Sequence, residues 1–386
     1  MTKTNDREKI YYILKELDKY KKKDFDFSSG KIIGSMCTKP HFISIEGYKK
    51  FLDTNLGDPT LFPGTYEIEQ NLIKFILKLL NAPISSRGLI VSGGTEGNIT
   101  AMWLAKQISK KNEIILSESA HFSFKKIASL MNMKLITIPL NKNYIIDIKK
   151  LKNKINDNTA AIIGIAGSTE LGTIDPIPYL SDICLDENIF LHVDAAFGGF
   201  VIPFLKKLNY KVTDFDFKLK GINTITIDAH KMGYSAIPLG LIVVREKNWL
   251  DKISVESTCI NSDKQMGILG TRSGGPVAAA YAVTKFLDIN GYIKLIENCI
   301  NLTKYIECEI IKMGLKLITK PTMNVIGVKI KNLNNVNKKL SDLGWKVNKI
   351  DRISCLRIVI MPHITKKIID DFIPILKKVC KEEKEI

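Results

Sequence analysis

The stretch IFLHVDAAFGG (189–199) is a short apolar run that ends on a carboxylate, Asp194, and passes into alanine and glycine. Its length and composition are those of a buried strand. A carboxylate at such a strand end must meet a cation or hydrogen-bond donors to offset its desolvation. Asp194 is therefore read either as a helix cap or structural ion pair, or as a group facing a flat ligand for which Ala195 and Ala196 leave room. The same kind of run recurs on both sides. GLIVS (88–92), EIILSES (113–119), KLITIP (134–139) and AAIIGIAG (160–167) precede it, and TITIDAH (224–230) and LGLIVVRE (239–246) complete the series. Helix-length segments such as NITAMWLAKQIS (98–109) alternate with them, and EIEQNLIKFILKLL (67–80) upstream has apolar residues at helical spacing. Aliphatic, β-branched runs alternating with helices indicate βαβ units and a mostly parallel sheet, an α/β fold.

Past a helix near 276–287 the order changes. A long helical stretch (about 291–314) leads to MNVIGVKI (323–330), a helix, WKVNKI (345–350), LRIVIM (356–361) and a terminal amphipathic helix. That pattern predicts a small C-terminal α+β domain (289–386) beside a large α/β domain (50–288), with the N-terminal segment 1–49 joined to the small one. The 386 residues exceed the length at which a single core usually stops growing, about 250–300 residues.

The net charge of +17 invites a nucleic-acid reading, but only six of the 57 basic residues are Arg and 51 are Lys, spread along the chain. Specific readers of bases and phosphates favour the bidentate guanidinium fork. No dedicated nucleic-acid partner is expected, only weak attraction to polyanions. The charged N-terminus lacks a signal-peptide core, and no run approaches the roughly 20 apolar residues of a spanning helix, so a cytoplasmic protein with no membrane partner is expected. Seven Cys form no C-x-x-C pair and five His no H-E-x-x-H, so reduced thiols and no metal site are expected.

Ligands of parallel sheets collect beyond the carboxyl ends of the strands. Four such ends here carry unusual polar residues: Ser92-Gly93-Gly94-Thr95, His121, Asp194 and His230-Lys231. SGGTEGN (92–98) joins a strand to a helix N-terminus, a place for an anion or simply a tight turn; it is neither a Walker A loop nor a G-x-G-x-x-G fingerprint. Lys231 follows an apolar strand in the least charged part of the chain. It is either a snorkelling side chain or an amine whose pKa desolvation lowers, fit to act as a Schiff-base nucleophile. A helix terminus for phosphate, an Asp for a pyridinium nitrogen and a Lys for an aldehyde are together what pyridoxal 5′-phosphate requires.

SGGTEGN (92–98), HVDAAFGG (192–199), DAHKMG (228–233), GTRSGG (270–275) and LRIVIMPHIT (356–365) resemble, in the same order, the motifs of the group II pyridoxal-phosphate-dependent amino-acid decarboxylases. NLGDPTLFPGT (55–65) and AGSTELGTIDPI (166–177) are similar to the archaeal branch acting on L-tyrosine and L-aspartate. Gly97 and Ser168 stand where many relatives carry Ala and Thr. The resemblance implies the aspartate-aminotransferase-like fold type I and a homodimer with a shared active site. It implies decarboxylation of L-tyrosine to tyramine, for methanofuran biosynthesis, and/or of L-aspartate to β-alanine, for coenzyme A biosynthesis. Other fold-type-I chemistry, an aldehyde lyase or an aminotransferase, is the alternative.

By the same resemblance, Lys231 holds the cofactor, Asp194 keeps its ring nitrogen protonated, and His121 and Ala196 lie on its two faces. Gly94, Thr95 and His230 bind its phosphate, Thr169 lies near its substituents, and Gly270 and Thr271 reach the partner subunit's phosphate. His121 also reads as a helix-start hydrogen bonder, and GTRSGG as a turn before a helix. Arg357 lies on an apolar strand and needs an anionic partner. The motif makes it the clamp for the substrate α-carboxylate, against an interdomain salt bridge as the plain reading. Phe62 and His41 are candidates for an aromatic substrate slot, while Arg272 has no assigned role. The polar segment 254–267 is similar to a lid that carries a proton donor in relatives; it has no Tyr here, and Cys259 within it reads as an exposed, inert thiol.

Overall fold

The computed structural model describes residues 2–256 and 264–386. Every apolar run of the α/β region becomes a strand: β1 (Arg87–Val91), β2 (Glu113–Ser117), β3 (Lys134–Ile138), β4 (Thr159–Ile165), β5 (Phe190–Asp194), β6 (Ile222–Asp228) and β7 (Gly240–Val244). They form one sheet in the order β1-β7-β6-β5-β4-β2-β3. Only β7 runs against its neighbours. The link from β6, residues 229–239, is too short for the crossover that a parallel return needs. Thus the sheet is mostly parallel, as its sequence predicts.

The helices are α1 (Thr2–Lys21), α2 (Phe42–Lys50), α3 (Pro63–Leu79), α4 (Gly94–Ser109), α5 (Ser123–Met131), α6 (Ile148–Lys152), α7 (Ile177–Asp186), α8 (Ile202–Lys207), α9 (Gly274–Lys312), α10 (Leu333–Asp342) and α11 (Lys366–Glu382). They cover both faces of the sheet, which is why β2, β4, β5 and β7 are buried at every position. Val91, Ile114, Ile163 and Ile242 pack under α4 and α5. Ile162, Leu191, Ile225 and Leu241 face the opposite way, toward α3, α7, α8 and α9. Strand alternation then decides the site: His192 and Asp194 of β5, with Thr224, Thr226 and Asp228 of β6, share the α4 face.

Two short strands, β8 (Val255–Glu256) and β9 (Lys264–Gln265), pair within the segment expected to be irregular; Cys259 lies outside the described residues. Beyond α9, β10 (Val325–Lys329), β11 (Asn348–Ile350) and β12 (Cys355–Val359) form an antiparallel sheet with β12 in the middle. The N-terminal segment is stitched to it: Ile33 N donates to Lys346 O (3.1 Å), Val359 N to Ile33 O (2.8 Å), and His363 Nε2 to Ile32 O (2.8 Å). The two helices expected over 276–287 and 291–314 are the halves of α9, broken at Asp288, whose φ is 50° and whose ψ is −164°. Its Oδ1 caps the second half by accepting from Asn290 N (2.6 Å) and Gly291 N (3.1 Å). Among the described residues no helix is long and apolar enough to cross a membrane.

Candidate active site

Beyond the carboxyl ends of the strands lies a cleft of about 350 Å³. Eight of the candidate residues line it: Gly94, Thr95, His121, Thr169, Asp194, Ala196, His230 and Lys231. At its floor the β1–α4 turn is closed by Glu96, whose Oε2 accepts from Ser92 N (2.7 Å). Gly94 sits so close to β5 and β6 that a Cβ there would stand 3.1 Å from Ala196 Cβ and 3.2 Å from Asp228 Oδ2. The first-turn N–H groups of α4 have no partner within the helix and carry the positive end of its dipole.

Asp194 is fixed by α4. Asn98 Nδ2 donates to Asp194 Oδ2 (2.8 Å), and Ala196 N donates to Oδ1 (3.1 Å). Asn98 Oδ1 can only accept, so His192 Nε2, 3.0 Å away, carries a proton, and His192 Nδ1 accepts from Thr224 Oγ1 at 2.8 Å. Burial, opposed by Asp194, pushes the His192 pKa down to about 4, so the relay is neutral at its far end. Neither Asn98 nor His192 was singled out by sequence. Their signal was alternation along β5 and the helical turn from Gly94 to Asn98. A Cβ at Gly97 would meet Thr226 Cγ2 at 2.7 Å, so the glycine at this position matches a threonine on β6.

His121 Nδ1 accepts from Ser123 N (3.2 Å) at the start of α5, so the helix-start hydrogen bond is made. Its ring nevertheless lines the cleft, packed 4.1 Å from Phe122 between centroids, and burial holds its pKa below the ordinary value. His230 Nδ1 lies 2.7 Å from Leu239 O. Lys231 Nζ is 3.0 Å from Asp228 Oδ2. This corrects the expectation for its ionisation: burial works against the ammonium, but Asp228 and then Asp194 outweigh it, and the pKa is raised. The acid three residues upstream, in DAHK, was the overlooked signal.

Arg357, at the middle of β12, is 5 % exposed. Its guanidinium donates to Thr169 O (2.6 Å) and Gly34 O (2.7 Å), and Nε has no partner among the described residues. It joins the small sheet to the cleft loop through carbonyls rather than the salt bridge offered as its plain reading. Like Arg357, which reaches the cleft only through Thr169 O, four further candidates do not line the cleft of a single chain. Gly270 and Thr271 lie on an exposed turn. Phe62 caps α3, while His41 caps α2 with its ring against Tyr234 and Phe286. Arg272, unassigned by sequence, is structural: it pairs with buried Glu69 (3.0 Å) and donates to Ile90 O and Leu56 O.

An anion cradle, a fixed carboxylate and an amine around one cleft fit the donor set that pyridoxal phosphate needs. The fold is that of the fold-type-I pyridoxal-phosphate enzymes: a solved sphingosine-1-phosphate lyase from Burkholderia pseudomallei superposes with a TM-score of 0.89 over 97 % of this chain and 90 % of its own, at 23 % identity. Residues 51–331 match the pyridoxal-dependent decarboxylase conserved domain, and the chain belongs to that family. An L-aspartate/L-glutamate decarboxylase of Pyrococcus horikoshii is 46 % identical over 97 % of each chain. A probable L-tyrosine/L-aspartate decarboxylase of Methanosphaera stadtmanae is 44 % identical over 94 % of this chain and 95 % of its own. The protein is a pyridoxal-phosphate-dependent amino-acid decarboxylase.

Proposed function

We propose that the substrate is L-tyrosine, giving tyramine, and/or L-aspartate, giving β-alanine, in a cytoplasmic homodimer serving methanofuran and coenzyme A biosynthesis. The observation that carries an amino-acid substrate is Arg357: a buried guanidinium with no carboxylate partner among the described residues, bonded to the carbonyl of Thr169 at the cleft. It binds the α-carboxylate and fixes the torsion about the bond that breaks. The names of the relatives in Pyrococcus and Methanosphaera support the choice of side chain.

When bound, pyridoxal phosphate supplies an electron sink for the carbon that loses CO2. Lys231 holds it. Asp194, fixed by Asn98 and Ala196, keeps the ring nitrogen protonated. His121 and Ala196 bracket the ring, with Thr169 near its substituents. Gly94, Thr95 and His230 bind the phosphate. Gly270 and Thr271 of each subunit serve the cleft of the other, where Phe62 and His41 contribute to the side-chain slot. The exposure of Gly270 and Thr271 in a single chain, beside exposed Leu61, Ile268 and Leu269, supports a dimer that covers them. A division at 288/289 is supported by the separate sheets and the break of α9 at Asp288, whereas 49/50 falls within α2.

The test is to offer tyrosine, aspartate, glutamate and 2,4-diaminobutyrate separately to the purified protein with pyridoxal phosphate under reducing conditions. Tyramine or β-alanine with one equivalent of CO2 is expected. CO2 only from glutamate or diaminobutyrate would overturn the substrate assignment. Pyridoxamine phosphate accumulating with a keto acid would overturn the reaction.

A further inference from the structure

Asp228 ends β6, is 2 % exposed, and belongs to none of the roles above. Its Oδ2 lies 3.0 Å from Lys231 Nζ and 3.8 Å from His230 Nε2, while buried Oδ1 has no hydrogen-bond partner among the described residues. Close-packed backbone surrounds the carboxylate: a Cβ at Gly240 would stand 2.6 Å from Oδ1. A buried carboxylate that uses one oxygen on a catalytic amine and leaves the other empty is poorly built for stability alone.

We propose that Asp228 is the charge partner of Lys231, holding the ε-amine as an ammonium in the cleft, so that the amine becomes a nucleophile only when its proton is lost to solvent. This rests on the reading of Lys231 as the amine that carries the cofactor. One proton leaves Nζ for water, leaving a neutral amine beside the Asp228 carboxylate, and no other bond changes. Asp194 from β5, Cys37 from the N-terminal segment and His121 ahead of α5 also act on Lys231 electrostatically, with His230 beside it. Asp194 and Cys37 favour the ammonium in the same sense as Asp228.

The test follows the attachment of pyridoxal phosphate to the full-length protein stripped of cofactor, by visible absorbance, across neutral and alkaline pH. Native protein should load faster as pH rises. In Asp228→Asn the midpoint of that profile should fall by about one pH unit or more, because burial then acts on the amine with less opposition. Asp228→Glu should restore the native profile. A D228N profile superimposable on the native one would overturn the proposal. A second arm needs no variant: competitive acetylation of native stripped protein, mapped by mass spectrometry, should show Lys231 titrating above the surface lysines. Titration at or below them would overturn the pairing. If native protein takes up no pyridoxal phosphate at any pH, the cofactor role of Lys231 is what fails, while the acetylation profile still decides the pair.

Discussion

Arg357 illustrates how one residue can carry a functional argument. A guanidinium in the middle of a buried strand, bonded among the described residues only to carbonyls, is a cation whose charge is left without an anion. Arg357→Lys replaces the planar fork with a point charge that cannot keep both carbonyl bonds and a bidentate carboxylate. The expected result is a KM raised about 10- to 100-fold with a smaller change in kcat, since binding common to ground and transition states is lost. Unchanged steady-state kinetics would remove Arg357 from the site. Asn98→Ala leaves Asp194 Oδ2 and His192 Nε2 without their partner in a buried site. Urea unfolding should show a loss of about 1–3 kcal/mol, and pyridoxal phosphate should be retained less tightly; native stability would contradict the relay. Lys231, Asp194, His121 and His230 were legible in sequence because polar groups at apolar strand ends are anomalous. Asn98 and His192 were not, because their meeting depends on strand register and on the rotation of α4. Asp228 is visible in sequence three residues before Lys231, but its effect on the amine depends on the turn that brings Oδ2 to 3.0 Å from Nζ.

At the scale of an element, the turn after β4 carries Thr169 to the cleft and is anchored by a buried acid. Asp175 accepts from Ile146 N and Ile165 N, each at 2.9 Å. Burial raises its pKa from 3.8 to about 6 against the pull of those two donors. The folded protein therefore holds this proton more tightly than the unfolded chain, so the contribution is largest below the unfolded value and is lost as pH rises through the folded one. The stability difference between native protein and Asp175→Asn should shrink from about pH 4 to about pH 6, by up to about 3 kcal/mol. Denaturant unfolding at several pH values measures it, and a pH-independent difference would show that Asp175 titrates normally. The strands themselves were legible because apolar runs of the right length leave few alternatives. What the runs do not encode is direction: the reversal of β7 follows from the short 229–239 link, which is visible only once β6 and β7 are known to be neighbours. The tethering of the N-terminal segment was expected in outline, but the role of His363, held between Thr38 and Ile32 O, was not.

At the scale of the whole molecule, one cleft takes residues from five strand ends, and the small sheet reaches it through a single buried arginine. A dimer of this chain has apolar surface to cover: α1 alone exposes Ile10, Tyr11, Leu14, Leu17 and Tyr20. Sedimentation should give the mass of two chains, and a fully active monomer would contradict the shared site. The charge of +17, carried mostly by lysine, is expected to give only nonspecific attraction to polyanions. Filter binding to nucleic acid should show no sequence preference and be lost at moderate salt; retention at high salt would reverse that reading. The most direct test of the central claim, that this cleft is the decarboxylation site with Lys231 as its amine, is borohydride reduction of the loaded protein followed by peptide mapping. With 51 lysines available, the pyridoxyl group should be found on Lys231 alone, and Lys231→Ala should lose label, visible absorbance and CO2 release together while remaining folded. Label on another lysine, or undiminished CO2 release from Lys231→Ala, would contradict it.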